Sequence, residues 1–191
     1  MARSDKRGQI IRAALELIAI NGFHDAPMAM IAQRANVGAG TIYRYFENKD
    51  TLIQESLKDL EDRLLAHLQE GYSVEMPMRE RFIHLGTRLL RYFITYPIEF
   101  RYLEQFHNSP YGVAHLRDKL LGKSEDAQVF SDFFKQGIAQ QIIKDIGLVV
   151  LFALGLGPLT AIARDHILGF IELTDSLILR TVEACWDALK R

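Results

Sequence analysis

GAGTIYRYFENK, residues 38–49, has a composition that does not suit an ordinary buried helix. It opens with the small residues Gly38, Ala39 and Gly40, then sets Tyr43, Tyr45 and Phe46 around Arg44. Ile42 and Phe46 stand four apart, so a helix can turn both inward while Tyr43, Arg44 and Tyr45 cover its other faces. Just upstream, Ile31, Ala32 and Ala35 form the inner face of a short helix for which Pro27 is a good first-turn residue. Asn36-Val37-Gly38 reads as a tight turn, with Val37 buried in it. A third helix is expected over about Ala39–Phe46. Two short helices across a turn of about three residues make a helix-turn-helix.

In that motif the second helix enters the DNA major groove, its N-terminal residues nearest the base edges. The small first turn then has a reason. Gly38, Ala39 and Gly40 let the backbone approach a base or phosphate. Thr41 can donate a hydroxyl hydrogen bond. Tyr43 and Tyr45 can reach phosphates, and Arg44 can reach phosphate or guanine. Lys49 opens the following helix, where the positive end of the helix dipole disfavours a lysine. A phosphate opposite would account for it.

The run GFHDAPMAMIAQRANVGAGTIYRYFENKDTLI, residues 22–53, resembles the DNA-binding region of the tetracycline-repressor (TetR) family of bacterial regulators. The likeness rests on Gly22-Phe23, Ile31-Ala32, Ala35, Val37, Gly40-Thr41, Tyr43, Phe46, Lys49 and Leu52. It implies an all-α chain: a DNA-binding domain over residues 1–47 and a helical ligand-binding and dimerisation domain over 48–191. It also implies a cytoplasmic regulator of double-stranded DNA rather than an enzyme. Such a regulator is a homodimer joined through its last two helices, a repressor released from a palindromic operator by a small apolar or aromatic effector. A helix-turn-helix protein with no effector is the alternative. The family usually places Thr or Ser where Ala26 and Pro27 stand, which leaves backbone N–H groups such as that of Met28 to meet a phosphate. Asn36 replaces a usual Gly and Gly38 a usual Ser. Both tolerate the required backbone, but side-chain phosphate contacts at those two places are not carried over from the resemblance.

The totals agree with a folded regulator. The 191 residues are 49% hydrophobic, enough for a substantial core. Net charge is −1, but residues 1–50 hold seven Lys/Arg against five Asp/Glu. That leaves a slightly basic end on an acidic body. A single cysteine, Cys185, excludes an internal disulfide and a Cys-rich zinc site. Beside Trp186 it reads as a small buried hydrophobe. The start, MARSDKRGQII, shows no apolar h-region, so no signal peptide is expected. The six histidines form no metal-ligand spacing, and no nucleophile elbow or phosphate-binding glycine loop occurs. Neither metal nor cofactor is expected.

Helical periodicity continues throughout, with no alternating strand. Ser4 or Asp5 caps a first helix that Asn21-Gly22 ends, and Asn48 caps a long fourth helix. Gly71–Pro77 is a break. Further helices are expected over about 78–95, 98–107, 112–121, 125–144, 147–164 and 167–190. The run 146–163 is 18 residues long, the lower edge for a bilayer span. Its glycines and Pro158 read instead as a soluble helix covered on several sides, and no membrane partner is expected. The final helix offers Leu173, Leu177, Ile178, Thr181, Ala184, Cys185 and Leu189 to a dimer contact. The family resemblance implies an aromatic effector pocket in between, lined by Phe93, Phe100, Phe106 and Phe134, with His107 as polar anchor.

Overall fold

The computed structural model describes residues 5–120 and 129–191. Among them are eleven helices and no strand, apart from one isolated antiparallel bridge between Ile143 and Lys190. They fall into two compact units, Met1–Arg63 with Tyr96–Ser124, and Leu64–Thr95 with Glu125–Arg191. Both units are discontinuous in sequence. They do not coincide with one cut after residue 47, because the sixth and seventh helices pack with the first four.

The first unit begins with α1 (Lys6–Asn21), capped by the Asp5 carboxylate, which accepts from the Gly8 N–H at 3.0 Å. Ile10, Ile11, Ala14, Leu15 and Ile18 form its buried stripe. It ends where Gly22 turns to φ +79° and its N–H bonds the Ile18 carbonyl at 2.8 Å. Next come α2 (Met28–Arg34) and α3 (Ala39–Ile42), then α4 (Lys49–Gln69). The Asn48 side chain accepts from the Thr51 N–H at 2.9 Å, as an N-cap should. From Leu64 onward α4 belongs to the second unit. The first unit is completed by α6 (Pro97–His107) and α7 (Pro110–Leu120). Helices α1 and α6 pack along each other. α7 folds tightly onto the end of α6: a Cβ on Gly112 would lie 2.2 Å from the Phe106 carbonyl oxygen.

The second unit centres on α5 (Met78–Thr95). Its buried Phe82, Leu85, Gly86, Leu89, Leu90 and Phe93 fall at spacings of three and four, one continuous face. Gly86 allows the closest approach, since a Cβ there would sit 2.7 Å from Val182. Around α5 lie α8 (Val129–Ala139), α9 (Leu148–Gly155), α10 (Gly157–Ile167) and α11 (Asp175–Leu189).

Four boundaries differ from the periodic reading. The recognition helix is regular only to Ile42. Beyond it Arg44 and Tyr45 bond the carbonyls three residues back, and Phe46 bonds Ile42 at 3.0 Å, so the chain tightens into a last turn. The helix expected over 125–144 stops at Ala139; residues 125–128 lie outside the described residues. Gln141 adopts φ +59°, and the N–H groups of Ile142 and Ile143 both bond the Gly137 carbonyl. Ile142 and Ile143 keep the helical period in sequence, which hides this Schellman-type stop. The run 147–164 is two helices broken at Leu156, since Pro158 offers no N–H to continue the ladder. The last helix begins only at Asp175, capped by the Thr174 hydroxyl.

Because the atom facing Gly112 is backbone, Gly112→Ala has no easy relief. We expect it to cost about 2 kcal/mol or more. Urea unfolding should show a lower midpoint at an unchanged m-value. An unchanged midpoint would mean that α6 and α7 do not pack this closely.

Candidate nucleic-acid interface

The site is built on a buried hinge of apolar side chains. Ile42 and Phe46 are 0% exposed, and the guanidinium of Arg7 lies over the Phe46 ring, 5.8 Å from its centroid. Ile31, Ala32 and Ala35 of α2 are buried beside them. The turn between the helices is a Schellman motif. Asn36 takes φ +53°, its N–H bonds Gln33, and the Val37 N–H reaches back to Ala32 at 3.0 Å. Asn36 thus performs the left-handed role expected of it. Val37 is only half-buried, a correction to the expectation that it fills the turn. The backbone bonds close the turn without needing its side chain as a plug.

With Ile42 and Phe46 facing inward, the intervening residues face out. Tyr43 is 57% exposed and Tyr45 43%, and Arg44 is exposed. The Arg44 guanidinium has no bonded or ion-pair partner among the described residues. Gly38, Ala39 and Gly40 are exposed and Thr41 is half-buried. A Cβ on Gly40 would meet nothing within 4 Å. The fold therefore does not demand glycine at that position. The Met28 side chain is buried, so what it can offer is its backbone N–H in the first turn of α2. Gln33, which the sequence reading passed over, is exposed. With Gly38 and Ala39 it lines an open groove between α2 and α3.

The basic residues divide by use. Arg7 is paired with Glu55, and Arg34 holds Glu16 through Nε at 2.9 Å and Nη2 at 2.5 Å. Lys6, Arg12 and Arg44 are exposed with no ion-pair partner among the described residues. Lys49 has a tie within the protein: its Nζ donates to the Phe23 carbonyl. Burial lowers its pKa, and the carboxylates of Asp25 and Asp50 oppose that shift. The oxygen that justifies a lysine at the positive end of α4 is thus partly supplied by the chain itself.

Phe23 joins this corner to the rest of the unit. Its ring meets Tyr102 at 6.0 Å, Phe106 at 6.4 Å and Tyr111 at 5.4 Å between centroids. The buried Tyr102 hydroxyl donates to the Ile53 carbonyl at 3.0 Å, and burial pushes its pKa up. The Tyr111 hydroxyl donates to Asp50 Oδ1 at 2.6 Å, and that bond is the main cause of its raised pKa. Nothing in the sequence marked Tyr111 as part of this corner.

The five expected effector residues do not come together within either unit. Phe100, Phe106 and His107 belong to the first and Phe93 and Phe134 to the second. The four phenylalanines are at most 5% exposed, while His107 is exposed. Phe134 is packed edge-on against Phe133 and Phe152, at 5.5 Å and 5.2 Å. Cys185 is buried, which raises its thiol pKa and disfavours the reactive thiolate.

Comparison with known proteins closes the assignment. Residues 10–55 match the sequence model of bacterial regulatory proteins of the tetR family, and residues 77–190 that of the tetracyclin repressor-like C-terminal domain. An uncharacterised HTH-type transcriptional regulator of Haemophilus influenzae is 24% identical over 190 residues, covering 100% of this chain and 98% of that one. The solved structure of a TetR-family protein from Vibrio parahaemolyticus superposes with a TM-score of 0.79 at 30% identity, over 98% of this chain and 100% of the other. The fatty acid metabolism regulator of Bacillus subtilis is 36% identical over 73 residues, 38% of each chain. The recognition helix, its turn and the helical second unit are those of a family of transcriptional regulators rather than enzymes, and this chain belongs to it: it is a TetR-family, helix-turn-helix DNA-binding transcriptional regulator.

Proposed function

We propose that the protein is a homodimeric cytoplasmic repressor that binds a palindromic operator and is released by a small apolar or aromatic effector. The observation that carries the DNA contact is the exposed Tyr43-Arg44-Tyr45 face beside the bare backbone of Gly38–Gly40, held on buried Ile42 and Phe46. Arg44 reads or clamps. Tyr43, Tyr45, Thr41 and the Met28 N–H meet phosphates, and Lys49 adds positive charge while bonded to Phe23.

Two-fold pairing is supported by what the second unit leaves uncovered. The buried residues are Leu151 and Gly155 on α9 and Leu159 and Ala163 on α10, four apart in each helix. Val149, Val150 and Leu154 of α9 stand exposed. Among the described residues, the run expected to be covered on several sides is covered on one, and a second copy covers the rest. Of the seven residues offered from sequence at the final helix, four are already used: Leu173, Ile178, Cys185 and Leu189 are buried in their own unit. Leu177, Thr181 and Ala184 remain for the partner. The segment Leu148–Ile167 is long and apolar enough for a membrane span. The exposed apolar side of a dimer contact explains it with no bilayer.

Release works through α4. An effector that prefers a splayed dimer pivots α4, changes the separation of the two recognition helices and forfeits simultaneous binding. The first unit supplies a second lever, because α6 and α7 grip Phe23 and Asp50 beside the recognition helix. The rings of Phe93, Phe100, Phe106 and Phe134 are already packed.

Selection of bound DNA from a random pool should return a two-fold palindrome with half-sites about one helical turn apart. Leu154→Glu should yield monomers by sedimentation and lose that operator, and a stable dimer there would move the interface elsewhere. Gly40→Ala should separate fold from function. It raises helix stability by up to about 1 kcal/mol, yet should weaken operator binding roughly tenfold by gel shift. Full binding by this variant would show that DNA does not approach Gly40. Thermal-shift screening should find planar or apolar compounds that raise Tm and lower operator affinity. Compounds that raise Tm without releasing DNA would favour a regulator without this effector switch.

A further inference from the structure

We infer that Gln33, on the helix preceding the recognition helix, reads a base edge, and that the base is adenine. This rests on the DNA-binding reading of α3. The N-terminal residues of a recognition helix lie nearest the bases, and here they are Gly38, Ala39 and Gly40. Their side chains carry no hydrogen-bond donor or acceptor, so at this end α3 brings shape but no code. The groove that contains Gly38 and Ala39 has its other wall on α2, where Ala29 and Gln33 lie one helical turn apart on the same face. Ala29 is too short and apolar to read a polar edge. Gln33 is exposed, and none of its side-chain atoms is engaged with another described residue. Its backbone carbonyl is fixed by the Asn36 N–H at 3.1 Å, so the stem of the side chain is held at the mouth of the groove. A free amide beside a bare recognition-helix terminus offers one acceptor and two donors. That matches the N6 donor and N7 acceptor of adenine in the major groove.

The test is base selection by the full-length chain and two variants, Gln33→Ala and Gln33→Glu, with circular dichroism to verify that each is folded. The parent should enrich adenine at one position of each half-site. Gln33→Ala should lose roughly tenfold or more of the discrimination at that position alone and keep the others. Gln33→Glu, which can only accept, should shift the same position toward cytosine, whose N4 donates. An unchanged motif in Gln33→Ala overturns the proposal. So does a uniform loss of affinity for every sequence, which would place Gln33 on a phosphate. If the parent itself enriches no motif, DNA reading by α3 fails and this proposal fails with it. A parent motif that survives both substitutions removes only Gln33.

Discussion

Four residues cannot hold themselves helical in water, because nucleating a helix costs more than one turn of hydrogen bonds returns. α3 (Ala39–Ile42) therefore exists only because Ile42 and Phe46 are locked into the core with no exposed surface. Truncating Phe46 would forfeit about 3–5 kcal/mol, a large share of the stability of an ordinary domain. The same anchoring fixes which way the helix faces. With positions 42 and 46 inside, positions 43, 44 and 45 have only solvent to meet. The functional face is thus the complement of the packing face, and one pair of apolar residues sets both.

The second constraint acts one step away. Phe23 stands in the loop between α1 and α2, its ring among Tyr102, Phe106 and Tyr111 and its carbonyl on Lys49. One residue thereby ties the loop before α2 to the start of α4 and to the helices α6 and α7. Tyr111 doubles the link through Asp50. Any rearrangement of α6 or α7 must disturb packed rings before it is absorbed, and packed interiors repack in steps rather than stretch. The loop before α2, the start of α4 and the helices α6 and α7 are thus held as one packed corner.

Local chemistry was the legible layer. Asp5, Gly22, Asn36 and Asn48 each perform in the structure the cap or turn role their residue types announce, and the buried face of α5 can be read off its spacings. The helix-turn-helix could be found because its elements are consecutive. What could not be read is partnership. Periodicity tells which face of a helix is apolar but not against what it packs. Phe100 and Phe134 looked alike in sequence and fall into different units, and Ile178 and Leu177 looked equally available while only Ile178 is consumed at home. Stops that use an ordinary residue are equally silent. Gln141 turns left-handed with no glycine to announce it. At Lys49 the sequence posed the right question, a cation at a positive helix end, but could not show that a carbonyl 26 residues earlier supplies part of the answer.

Several residues of the recognition segment are worse for the free fold than easily available alternatives. Gly40 sits in a helix with open space where a Cβ would be, at roughly 1 kcal/mol less stability than alanine. Gly38 caps without a side chain where a serine would bond. Tyr43 and Tyr45 hold large rings in water, and Lys49 carries its charge into a half-buried place at the wrong end of a dipole. Each departure has a local excuse when taken singly. All of them lie within twelve consecutive residues, while the supporting residues Ile31, Ala32, Ile42 and Phe46 break no rule. Local compromise concentrated on one face, over an orthodox core, is what a surface shaped by an outside partner looks like. Bare backbone, tyrosine hydroxyls and the free guanidinium of Arg44 are together suited to an anionic partner that must come close, as a DNA duplex does.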